Sequence, residues 1–133
     1  MHIVTTTIIM AVRNLQDEET INYVWQKGLV VEGYNPELYR QDYSGAWISR
    51  NAYGDRDSIL GWEIDHVYPL SKGGTNEEIN LRPINWRNNI SKGDSYPEYI
   101  ADVTSEDNKN VIKETRCTVG KALQARLKEL YDL

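Results

Sequence analysis

The segment from Gly61 to Gly93 constrains this chain more than any other. It runs Gly61-Trp62-Glu63-Ile64-Asp65-His66, then Pro69, then Gly73-Gly74, then Asn80-Leu81, and ends Asn88-Asn89-Ile90-Ser91-Lys92-Gly93. Trp62, Ile64 and the residues between them read as a short strand over 61–66 that ends on an Asp-His pair. Gly73-Gly74 marks a turn, and a helix follows the resulting hairpin. On that helix Asn85, Asn89 and Lys92 stand at i, i+4 and i+7 and share one face. Trp86 and Ile90, also four apart, lie beside it and are expected to anchor the helix to the core. Neighbouring residues of a strand point to opposite faces, so Asp65 and His66 converge only if the strand ends or bends there. Pro69 and the loop after it supply such a bend.

The rest of the chain is an ordinary globular sequence of 133 residues, 40% hydrophobic and 26% charged, with four Trp, nine Tyr and no Phe. That length suits one domain over 1–133 with a single modest core. Residues 2–13 are rich in Thr, Ile and Val and read as a strand rather than a signal peptide. Asp17 to Gly28 reads as a helix, with acids in its first turn, Ile21, Val24 and Trp25 as its apolar stripe and Gly28 as its stop. Asn35-Pro36 predicts a short helix over 36–41. A strand is expected over 46–53 and a turn over 54–58. Two strands, 99–104 and 111–117, flank a polar turn. A last helix over 119–130 takes Thr118 as a cap and Leu123, Leu127 and Leu130 as its core stripe. The fold class implied is α+β.

The net charge is −5, whereas nucleic-acid binders usually show a basic face. The charge is uneven. Acids gather at 17–19 and 98–107, while Arg50, Arg56, Lys72, Arg82, Arg87 and Lys92 lie around the Asp-His segment. Cys117 is the lone cysteine, which excludes an intramolecular disulfide and a thiolate zinc site and fits a reducing, cytoplasmic setting. Nothing in the sequence approaches transmembrane length.

Residues 61–94 resemble the HNH nuclease family in the Asp65-His66 pair, the Gly73-Gly74 turn, Asn80, Asn89 and Lys92. A looser likeness to small bacterial and phage HNH proteins extends over 29–60, through Gly33-Tyr34-Asn35-Pro36 and Gly45-Ala46-Trp47-Ile48. The resemblance implies a ββα-metal finger, about residues 60–94, embedded in the domain. It implies that Asp65 and Asn89 ligate one divalent cation, that His66 is the general base, and that Asn80 ties the loop after the histidine to the hairpin. Lys92 would meet a phosphate, with Arg87, Arg82 and Lys72 as further contacts. A carboxylate and an amide oxygen form a hard ligand set, so Mg²⁺ or Mn²⁺ is the expected ion. Many relatives carry a cysteine pair that binds structural zinc. Asn85 and Asn88 stand at the helix positions of that pair here, so no structural zinc is expected, and packing by Trp62, Trp86, Leu81 and Ile84 must hold the finger.

The function implied is metal-dependent hydrolysis of phosphodiester bonds in DNA, nicking as a monomer or cutting both strands as a homodimer, with no membrane partner. Two rivals stand beside it. One is an RNA-cleaving nuclease. The other is a catalytically silent binding protein of the same fold, such as a phage inhibitor or accessory subunit, which suits the acidic balance.

Overall fold

In the computed structural model, residues 12–133 are described. The strand expected over 2–13 lies almost wholly outside them. Its end is tied down, since Val12 bridges Glu77 and the Arg13 N–H donates to the Asn76 carbonyl at 2.9 Å.

The described chain is α+β. It runs α1 (Glu18–Trp25), β1 (Tyr39–Gln41), β2 (Trp47–Ser49), β3 (Trp62–His66), β4 (Leu81–Asn85), α2 (Trp86–Lys92), β5 (Glu98–Glu106), β6 (Lys109–Thr118) and α3 (Lys121–Tyr131). Among the described residues the strands form three two-stranded antiparallel sheets, β1–β2, β3–β4 and β5–β6. No described helix is long and apolar enough to cross a membrane.

Among the described residues the buried apolar side chains fall into two clusters, where length predicts a single core. One joins Ile21, Val24 and Trp25 of α1 to Ile48 of β2, Trp62 and Ile64 of β3, and Leu81 of β4. The other gathers Val67, Tyr99, Ala101, Val119 and Leu127. The β3–β4–α2 unit lies between them, with Trp62 and Ile64 in the first cluster and Val67, just past β3, in the second.

Asn35-Pro36 starts one turn, not a helix. Asn35 Oδ1 accepts the Glu37 N–H and its carbonyl accepts the N–H groups of Leu38 and Tyr39. The chain then goes straight into β1, because the cap-and-proline signal is local and strand pairing with β2 overrides it. The strand expected over 46–53 stops at Ser49 and tightens into a 3₁₀ turn at Arg50–Ala52. Thr118 belongs to β6, and the residue that precedes α3 is Gly120. In the leucine stripe Leu127 is fully buried, Leu123 half-buried and Leu130 exposed.

Candidate active site

Antiparallel pairing of β3 and β4 sets Asp65 opposite Arg82 and His66 opposite Leu81. Alternation along β3 puts Trp62 and Ile64 on the core face, while Glu63 and Asp65 face α2. Asn89 donates its amide to Glu63 Oε1 at 2.9 Å, and the Lys92 ammonium lies 3.1 Å from Asp65 Oδ1. His66 ends the strand, and its Nε2 lies 2.8 Å from the side-chain oxygen of Asn76. Asp65, His66 and Asn89 line one cleft of about 200 Å³, completed by Ile64, Pro69, Leu70, Ser71, Gly93 and Asp94.

Asn80 is fully buried and closes the loop that leads away from His66. Its Oδ1 accepts the Tyr68 N–H at 2.7 Å, and its amide donates to the carbonyls of Tyr68 and Thr75 at 3.0 Å each. Three bonds from one side chain thus tie 68 to 75 across the turn. The turn itself requires glycine twice. Gly73 has φ +108°, and a Cβ on Gly74 would fall 1.9 Å from the Tyr68 carbonyl oxygen. The ammonium of Lys27, in the turn after α1, braces the same region by donating to the carbonyls of Glu78 and Leu81. Burial, offset in part by Glu78, pulls the Lys27 pKa down to about 8. From the far end, Tyr131 of α3 stacks on Tyr68 and its hydroxyl accepts the Thr75 N–H at 3.0 Å.

The helix α2 is held by polar bonds rather than by the residues expected. Ile90 is exposed and Trp86 only half-buried, its indole N–H donating to the Ser58 carbonyl. Asn88 is the anchor. Its amide donates to Asp42 Oδ2 and the Val103 carbonyl, while its Oδ1 accepts the N–H groups of Asp102 and Val103. Asn85 caps the helix through the Arg87 N–H and is buried away from the cleft. It therefore does not act with Asn89 and Lys92. Asp42 was not legible as a hub. It accepts from the backbone N–H groups of Ser44, Ala46 and Asn85 besides Asn88. Burial pushes its carboxyl pKa up despite those four donors.

The cations expected to meet phosphates divide sharply. Lys92 is 1% and Arg82 6% exposed, so neither presents its charge at the surface. Lys92 bonds the carbonyls of His66 and Val67 as well as Asp65. Arg82 lies 3.7 Å from Asp65 Oδ2 and donates to the Tyr99 hydroxyl. Their burial follows from β4 and α2 packing against β3, which a count of charges along the chain does not show. Arg87 is half-buried over the Trp86 ring and 4.0 Å from Asp102. Lys72 is exposed on the turn beside the cleft. Arg56 is bidentate to Glu63. Burial tends to raise the Glu63 carboxyl, but the bonds from Arg56 and Asn89 and the Arg56 charge hold it below its usual range.

For a divalent ion the donor set fits in kind. Asp65 Oδ2 is buried with no hydrogen-bond partner among the described residues, an unusual state for a carboxylate oxygen. Asn89 spends its NH₂ on Glu63, which leaves its carbonyl oxygen as the other hard donor. Among the described residues no three His, Cys, Asp or Glu side chains cluster as a fuller metal cage. No protein-family model, curated protein or solved structure matches the chain.

Proposed function

We propose that this chain is a divalent-metal-dependent DNA endonuclease of the HNH type, with β3, β4 and α2 as its ββα-metal finger. One observation carries the reading. Asp65 and His66 from a strand and Asn89 from a helix, distant in sequence, line the same small cleft.

Each side chain then has a role that its surroundings support. His66 takes a proton from the attacking water as the water oxygen bonds to phosphorus and the bond from phosphorus to the sugar oxygen breaks. Asp65 Oδ2 and the Asn89 carbonyl oxygen would hold the divalent ion, Mg²⁺ or Mn²⁺. When bound, that ion would neutralise charge on the phosphoryl group and the leaving oxygen. Asn80 and the two glycines keep the loop after His66 in one shape. Lys92 pins the end of β3 through the His66 and Val67 carbonyls and so helps hold Asp65 and His66 at the same cleft. Lys72 and Arg87 are the cations left to meet a nucleic-acid backbone.

A catalytically silent binding protein of the same fold is the second reading. It is favoured by Lys92 and Arg82, which already offset the Asp65 charge and would weaken cation binding. Supercoiled plasmid separates the two. The nuclease reading expects nicking with Mg²⁺ or Mn²⁺, none in EDTA, and a loss of about 10²–10⁴-fold in His66→Ala, the range for one general base. Intact plasmid under every metal condition, with bound DNA or protein, supports the silent reading. Selective loss of an RNA substrate assigns RNA instead.

A further inference from the structure

Among the residues around the cleft, Asn76 has no role in the account above, yet it makes the only side-chain hydrogen bond to the His66 ring among the described residues. We propose that Asn76 is a positioning residue that fixes the tautomer and the aim of His66. The functional consequence rests on the nuclease reading, but the tautomer does not.

An amide oxygen only accepts, so a 2.8 Å contact between Asn76 Oδ1 and His66 Nε2 places a proton on Nε2. A neutral imidazole carries one N–H, so Nδ1 keeps the lone pair. Nδ1 makes no hydrogen bond to the protein among the described residues and is the nitrogen left to accept a proton from water. The reverse amide orientation would present NH₂ to Nε2 and force the proton onto Nδ1, the wrong nitrogen for that job.

The backbone around Asn76 is fixed from several sides. Its carbonyl accepts the Arg13 N–H, and the next residue, Glu77, bridges Val12. The preceding Thr75 gives its carbonyl to the Asn80 amide and its N–H to the Tyr131 hydroxyl. Three parts of the fold (the entry to α1, the Asn80 turn and the end of α3) therefore converge on the residue that touches the ring. The side-chain oxygen is delivered to Nε2 by a constrained loop, as an orienting group must be.

The test reads the ring directly. With only two histidines in the chain, a long-range ¹H–¹⁵N correlation spectrum has two imidazole patterns, and His2→Gln identifies His66. At a pH where the ring is neutral, the wild-type protein should show His66 as the Nε2–H tautomer. Asn76→Ala should lose that fixed pattern and average like a free imidazole, while Asn76→Asp, which keeps an acceptor oxygen, should restore it. Cleavage should fall by about 10²-fold in Asn76→Ala, the order of cost for a misplaced catalytic group, and recover in part in Asn76→Asp. An Nδ1–H tautomer in the wild type, or an unchanged pattern in Asn76→Ala, overturns the proposal. A wild-type protein with the expected tautomer and no cleavage of any nucleic acid overturns the nuclease reading alone.

Discussion

Two buried carboxylates, Asp42 and Asp65, are nearly equally hidden, at 1% and 3% exposure, and are satisfied in opposite ways. Asp42 receives four N–H groups, two on each oxygen, from the β1–β2 turn, the end of β4 and the body of α2. Those donors are neutral and fixed, so Asp42 is complete. Asp65 faces two cations instead and keeps one oxygen with no hydrogen bond. A saturated carboxylate holds a fold together, whereas a buried one left short of partners is a site for something to bind. On the proposed reading, the contrast puts architecture at Asp42 and the metal site at Asp65, although both lie beside the same helix.

Asparagine at both positions gives the sharpest break between them. Asp42→Asn turns an NH₂ against two existing donors and should cost at least about 3 kcal/mol in urea unfolding, from several buried groups left unsatisfied. Its folded fraction should still gain stability from Mn²⁺. Asp65→Asn should lose that gain, which is about 1.4 kcal/mol for wild type at ten times Kd. Equal Mn²⁺ stabilisation of both variants would dissolve the distinction.

Asn80 sits between the two extremes, since its bonds are structural and the nuclease reading gives its position a function. Asn80→Ala should cost about 1–3 kcal/mol of stability, the range for a buried polar group losing its partners. Cleavage should fall with it while Mn²⁺ affinity stays close to wild type. Thermal unfolding beside a plasmid assay checks this, and wild-type values in both would reduce Asn80 to a turn residue.

The smallest effect concerns the charges. Because Lys92 and Arg82 are inside, DNA binding should depend on few phosphate contacts, with a slope of log affinity against log salt of roughly two. Lys72→Ala should lower that slope by about one. Lys92→Met should leave the slope alone and destabilise the fold instead. A slope that falls in Lys92→Met would place that ammonium at the surface when DNA is bound.

The sequence carried the elements of the candidate site better than it carried their support. The strand ending on Asp65-His66, the two glycines and the tie made by Asn80 were legible because each is local, set by alternation, φ or a turn. The α1 stripe of Ile21, Val24 and Trp25 was legible for the same reason. Asp42, Asn88 and Asn76 were not, since their partners lie far away in sequence and polar side chains show no periodicity. Ile90 misled because apolar spacing on a helix of seven residues does not say which face is covered. Lys92 misled because a lysine is usually solvated, and only the packing of α2 on β3 reveals an internal counter-ion.

The claim that the cleft holds a catalytic divalent ion is tested most directly by Mn²⁺ titration of the ¹⁵N-labelled protein. Paramagnetic broadening should appear first at Ile64, Asp65, His66, Leu70, Asn89 and Gly93 and be absent there in Asp65→Asn. Broadening that begins instead at the acids of 17–19 or 102–107, or none near β3 and α2 even with a DNA oligonucleotide present, would contradict the account.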